Sequence, residues 1–201
     1  MREPAPIGIF DSGIGGLSVA REIRRLLPRE HLLYVADSAY VPYGDRTDSE
    51  VRARTLAAGR YLQERGAKLL VVACNTASGA ALELLRERLS IPVVGLEPAV
   101  KPAVAASRNG RVGVMATAGT LRSDRYARLV QAYGNGAQVI AQPCIGLADA
   151  IEDGHLDDDV LHGLIPGYVE PLRAGAWTRW CSAARTTRSF ASRSPRRWGP
   201  A

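Results

Sequence analysis

The sequence predicts an α/β protein made of two similar parallel-sheet units that face a common cleft. Short apolar runs end at an acidic or small polar residue, and a helix-forming run follows each of them, which is the order of a βαβ unit. That order begins at residue 7 and begins again after residue 97. Open α/β sheets bind ligands beyond the carboxyl ends of their strands, so two such units imply strand-end sites around one cleft.

The first strand is Ile7-Gly8-Ile9-Phe10, ending at Asp11. The turn Ser12-Gly13-Ile14-Gly15-Gly16 leads into an amphipathic helix over residues 17–27, with Leu17, Ala20, Ile23 and Leu27 on one face and Pro28 beyond it. This turn is not the dinucleotide fingerprint, because Ser18 stands where the third glycine of G-x-G-x-x-G belongs. Its glycines let the backbone approach a small ligand. Residues 32–36 form the second strand, closed by Asp37, and the loop 38–45 carries Val41-Pro42-Tyr43-Gly44. Thr47 and Glu50 have the spacing of a capping box and open a helix that runs to residue 65, closed by Gly66. Residues 68–73 form the third strand, whose continuous apolar run over 69–73 marks it as a buried parallel strand, and the helix after Cys74 ends near residue 89. Pro92 marks residues 91–94 as an edge strand or the beginning of one.

In the second half, Glu97-Pro98 opens a helix with proline in its first turn. A strand over 111–115 leads through Thr117, Gly119 and Thr120 into a helix that reaches residue 132. A strand over 138–141 precedes Pro143-Cys144, and residues 147–152 and 157–168 read as helices.

Composition narrows the class. With 46% hydrophobic and 23% charged residues the chain reads as a globular protein, and it has neither a signal-like amino terminus nor an apolar run long enough to span a bilayer. Its three cysteines, Cys74, Cys144 and Cys181, cannot all pair, so a disulfide framework is not expected and a reducing cytoplasm fits best. The net charge of +6 equals the number of arginines after residue 176, a segment without acidic residues that also holds all three tryptophans. The body of the chain is therefore neutral, and neither a nucleic-acid nor a membrane partner is expected.

Cys74 stands where a strand stops and a helix begins. A buried packing thiol is one reading. The other is a reactive thiol, with Asn75, Thr76 and Ser78 as donors beside it and a helix N-terminus that should lower its pKa. Asp11 either caps the following turn or belongs to the site. Cys144 after Pro143 reads as a packed thiol. His31, His155 and His162 show no ligand spacing, so no metal is expected. Lys68 and Lys101 are the only lysines, and neither is placed to carry pyridoxal phosphate, so chemistry without a cofactor is favoured.

The motifs Ile7-Gly8-Ile9-Phe10-Asp11-Ser12-Gly13-Ile14-Gly15-Gly16-Leu17-Ser18-Val19, Pro42-Tyr43-Gly44, Ala73-Cys74-Asn75-Thr76-Ala77, Gly113-Val114-Met115-Ala116-Thr117 and Gly119-Thr120 resemble, in order and spacing, the glutamate racemases of the aspartate/glutamate racemase family. The resemblance covers residues 7–176. It implies domains at 1–97 and 98–176, the second incomplete, and cofactor-independent interconversion of L- and D-glutamate for peptidoglycan. Two cysteines act on opposite faces of the substrate in that family, and a homodimer is compatible with it. By resemblance Cys74 is the first thiol, assisted by Asp11. Ser12, Tyr43, Gly44, Asn75 and Thr76, with Asp11, bind the substrate's amino and carboxylate groups, and Thr117 and Thr120 fall in matching motifs. Glu152 resembles the acidic residue that assists the second thiol.

The family's second cysteine lies in a Gly-Cys-Thr-His-Tyr-Pro motif that this sequence lacks. Back-translated with GC-rich codons and read from the third base of the Trp177 codon, the stretch to Phe190 spells Asp-Thr-Leu-Val-Leu-Gly-Cys-Thr-His-Tyr-Pro-Phe. The expectation is that residues 177–201 are read out of frame and have no native fold. The alternative is a disordered basic tail. Two further functions stay open: a non-catalytic relative that binds an amino acid or a protein partner, and a nucleotide-binding α/β protein.

Overall fold

A computed structural model describes residues 4–134, 136–155, 158–174 and 179–182. The chain divides into two compact units, Met1–Leu96 and a second from Glu97 onward. In the first, β1 (Ile7–Asp11), β2 (Leu32–Ala36), β3 (Leu69–Val72) and β4 (Val93–Val94) form a sheet in the order β2-β1-β3-β4. Every pairing is parallel, with Phe10 opposite both Val35 and Val72. Side chains alternate across the pleat. Phe10, Leu70 and Val72 pack with Leu62, Leu82 and Leu85 from α2 (Asp48–Glu64) and α3 (Asn75–Arg88). Ile7, Ile9, Val71 and Ala73 face α1 (Leu17–Leu26) on the other side. Residues buried on both faces account for the continuous apolar run of β3.

The capping box at α2 is present: the Thr47 hydroxyl accepts from the Glu50 N–H, and the Glu50 carboxylate accepts from the Thr47 N–H. Gly66 follows the helix at φ +82°. β4 is an edge strand, as Pro92 implied. The α1 stripe is only partly used. Val19, Ala20 and Ile23 pack on the sheet, whereas Leu17 is 52% and Leu27 47% exposed. α1 is the one described helix in that cluster.

In the second unit β5 (Arg111–Ala116) lies between β6 (Gln138–Pro143) and β7 (Arg179–Ser182), all parallel. One core joins Val112 and Val114 to Val100, Tyr126 and Leu129, from α4 (Val100–Ala106) and α6 (Asp124–Tyr133). The other joins Met115 and Cys144 to α7 (Leu147–Glu152) and α8 (Asp159–Ala174) through Leu147, Ile151, Leu161, Ile165 and Leu172.

Four expectations change here. α4 starts at Val100, so Pro98 lies ahead of it rather than in its first turn. The helix expected through residue 132 is two, α5 (Ala118–Arg122) and α6, because Ser123 takes an extended conformation and its hydroxyl accepts from the Tyr126 N–H to cap α6. α8 continues beyond residue 168 through Pro166 and Pro171. Burial of Tyr168, Val169 and Leu172 outweighs the hydrogen bonds those prolines remove. Residues 179–182, expected to be unstructured, form β7 with Val112 opposite Arg179 and Met115 opposite Ser182. Strand pairing satisfies backbone groups and is tolerant of side-chain identity. The rest of the 177–201 tail lies outside the described residues.

Candidate active site

Parallel pairing of β1 with β3 puts the turn after Asp11 beside the turn after Ala73, and the Ala73 N–H donates to the Phe10 carbonyl at 2.6 Å. Ser12 Oγ lies 3.6 Å from Cys74 Sγ. Cys74 is the N-cap of α3 and its sulfur accepts the Ala77 N–H at 3.4 Å. Asp11, Asn75, Thr76 and Ser78 are all buried here. Ser78 ties the arrangement down: its hydroxyl donates to the Val72 carbonyl at 3.2 Å and accepts the Leu96 N–H at 3.0 Å.

The thiol does not behave as the helix N-terminus alone would dictate. Burial, then the Asp11 carboxylate, push Cys74 up to about 11, against the Ala77 N–H and the Ser12 contacts. Desolvation and a nearby like charge both disfavour a thiolate, and here they exceed the helix end. The expected lowering is thus reversed.

Asp11 does cap its turn. Its Oδ2 accepts the Gly16 N–H at 2.6 Å, and the Tyr34 hydroxyl donates to the Gly13 carbonyl at 2.7 Å. A Cβ on Gly16 would stand 2.6 Å from Asp11 Cβ, 2.8 Å from the Tyr34 hydroxyl and 3.0 Å from Ala73 Cβ. The close approach that Gly16 permits is therefore to the protein's own chain.

Tyr43 and Gly44 begin a short 3-10 turn (Tyr43–Asp45) and are both buried. The Tyr43 ring packs 6.2 Å from that of Phe10 and shares a buried cluster with Cys74 and Ala77. Its hydroxyl donates to Asp37 Oδ2 at 2.6 Å, and Arg54 grips the same carboxylate. Asp37 and Arg54 were not singled out from sequence. The available signal was that Asp37 ends β2 as Asp11 ends β1.

Asp11, Ser12, Tyr43, Gly44, Cys74, Asn75 and Thr76 thus belong to the first unit. In the second, Thr117 caps α5 at the carboxyl end of β5; its hydroxyl lies 3.0 Å from that of Thr120 and accepts the Thr120 N–H at 3.2 Å. Glu152 is the half-buried last residue of α7. Cys144 is buried among Met115, Leu147 and Ile151. Lys68 pairs with Glu30 at the opposite end of β3, and Lys101 lies 5.1 Å over the Tyr133 ring. Among the described residues no group of His, Cys, Asp and Glu could hold a metal ion, and no helix is long and apolar enough to cross a membrane.

The family described as Asp/Glu/hydantoin racemase matches residues 7–164. A glutamate racemase of Ectopseudomonas mendocina is 55% identical over 171 residues, 85% of this chain. The chain spans 65% of that relative's length. A glutamate racemase isoform from Bacillus anthracis superimposes with a TM-score of 0.84 at 32% identity, covering 98% of this chain and 75% of that one. Escherichia coli glutamate racemase, solved with L-glutamate and the activator UDP-MurNAc-ala, gives 0.78 at 33% identity, covering 93% and 82%.

Proposed function

The chain belongs to the Asp/Glu/hydantoin racemase family, and on that premise we propose that it performs glutamate racemase chemistry without a cofactor, in the cytoplasm, serving D-glutamate supply for peptidoglycan. The single observation that carries this reading is the Cys74 thiol held between Ser12 Oγ and the Ala77 N–H, with Asp11 close enough to raise its pKa. Glutamate lies against the 11–16 and 74–79 turns of the first unit. Ser12, Asn75, Thr76, Tyr43 and Gly44 hold its amino and carboxylate groups together with Thr117 and Thr120, and Glu152 assists on the far face. A homodimer is the assembly that fits the family.

An α-proton beside a carboxylate is a very weak acid, so the base must be strong and the developing charge stabilised. With its pKa raised to about 11, the Cys74 thiol holds its proton near neutral pH. An incoming α-ammonium offsets the Asp11 charge and so removes part of what raises the thiol. The Ala77 N–H and Ser12 hydroxyl then stabilise the thiolate that takes the α-proton.

Incubation with D-glutamate in deuterated water tests this. Solvent deuterium at the α-carbon is the expected result. Saturable glutamate binding without exchange would favour the non-catalytic relative, a reading motivated by the missing Gly-Cys-Thr-His-Tyr-Pro motif. Inversion by this 201-residue chain should be slow or absent, since that motif supplies the family's second thiol. The out-of-frame tail remains part of the proposal. β7 covers the residues over which the alternative frame spells Leu-Val-Leu-Gly, a better strand sequence than Arg-Trp-Cys-Ser. Gene codons that do not encode Gly-Cys-Thr-His in that frame would refute it.

A further inference from the structure

The segment between β2 and α2 returns repeatedly to one ion pair. Arg54, on α2, lays its planar fork on Asp37, with Nη2 at 2.6 Å from Oδ1 and Nε at 2.9 Å from Oδ2. The same Oδ2 accepts the Tyr43 hydroxyl, and the Asp37 carbonyl accepts the Tyr40 N–H at 2.9 Å. Arg54 also stacks 3.7 Å over the Tyr40 ring. Arg46 closes the circuit by donating to the carbonyl of Tyr40 through its side chain and to that of Tyr43 through its N–H. Burial alone would push Asp37 up, but hydrogen bonds from Arg54 and Tyr43 outweigh it and hold the carboxylate ionised.

This geometry makes two demands. A bidentate guanidinium fixes direction as well as charge, which a lysine at the same place would not. Because the Tyr43 hydroxyl donates its hydrogen bond to Asp37, Tyr43 can hold a ligand carboxylate only through its backbone N–H. The ring beside Phe10 and Cys74 then acts by its position. With Arg54 37% exposed, the pair adds little global stability, so its effect is local.

We infer that Asp37 and Arg54 are the positioning residues of the 38–46 segment, setting glutamate affinity through Tyr43 and Gly44 without touching substrate. The inference rests on the racemase reading above. The test uses the whole chain with Asp37→Asn, Arg54→Met, Arg54→Lys and Tyr43→Phe, and measures α-proton exchange of D-glutamate against its concentration together with amide hydrogen exchange by mass spectrometry.

For Asp37→Asn and Arg54→Met the half-saturating glutamate concentration should rise about tenfold or more while the saturated rate stays within about threefold, the signature of lost uniform binding. Amide protection should fall in 38–46 and persist in 69–79. Arg54→Lys should recover part of the affinity, and Tyr43→Phe, which removes one of the groups that hold Asp37, should lower affinity less than Arg54→Met. Unchanged half-saturation, unchanged protection of 38–46, or a saturated rate that falls as far as the affinity would each overturn the inference. If the unaltered chain neither binds nor exchanges glutamate, the racemase reading fails and substrate positioning falls with it; protection of 38–46 then reports separately whether the ion pair holds the segment.

Discussion

Cys74 and Cys144 occupy comparable places, each just past a parallel strand, each buried, and each raised by that burial, to about 11 and about 12. Their surroundings differ. Cys74 has a hydroxyl at 3.6 Å, a helix N–H at 3.4 Å and a carboxylate nearby. Cys144 turns its sulfur to the Gln142 carbonyl at 3.7 Å, has the rise in its pKa opposed only in part by the Ala116 backbone, and packs in a cluster of apolar side chains and Tyr168. Position in a sheet therefore does not separate the thiol proposed to work from one that packs. Polar groups able to respond to a ligand do, and among the described residues they gather around Cys74 rather than Cys144.

Replacing each cysteine gives the widest separation. Cys74→Ser should reduce α-proton exchange about 100-fold or more, the scale of a positioned base, with glutamate binding nearly intact by calorimetry. Cys144→Ala should leave exchange within about threefold and lower unfolding stability by about 1 kcal/mol. Equal losses of exchange would erase the contrast.

The glycines beside the two sites probe it next. Gly16→Ala forces a carbon into Asp11, Tyr34 and Ala73 and should cost about 1–3 kcal/mol in denaturant unfolding as well as glutamate affinity. Gly146 has open space but φ +78°, so Gly146→Ala should cost about 1–2 kcal/mol and leave affinity alone.

Alkylation against pH sharpens the electrostatic part. Cys74 should react with iodoacetamide along a curve centred near 11, and Asp11→Asn should shift that curve down because a carboxylate that opposes the thiolate is gone. Cys144 should not respond. Both folded pKa values lie above the ordinary 9.0, so the folded state holds these protons more tightly. The stability they contribute is complete below about pH 9 and is lost as pH rises through 11 and 12. The smallest change is expected from Ser12→Ala, whose hydroxyl lowers the thiol pKa. Alkylation of Cys74 should slow about twofold.

What could be read from sequence follows from range. The capping box of Thr47 and Glu50, Gly66 and the edge position announced by Pro92 are local and were legible. So were the strand ends that assemble Asp11, Ser12 and Cys74, because parallel pairing of β1 with β3 is a rule of the fold class. The Asp37–Arg54 pair was not, since its partners are 17 residues apart and meet only when α2 docks. The thiol's pKa was misread because a helix terminus is visible in sequence whereas burial is not. α8 was cut short at residue 168 because the burial of Val169 and Leu172 that carries it further exists only in the folded core.

Ser78 gives the first unit a dynamic property. One hydroxyl joins the strand before Cys74, the helix after it and the amide of Leu96, the last residue of that unit. The Leu96 amide cannot be released without freeing an oxygen inside the first turns of α3. Loosening at the exit of the unit and loosening around the thiol should therefore occur as one cooperative opening, with a common free energy and a common hydrogen-exchange rate.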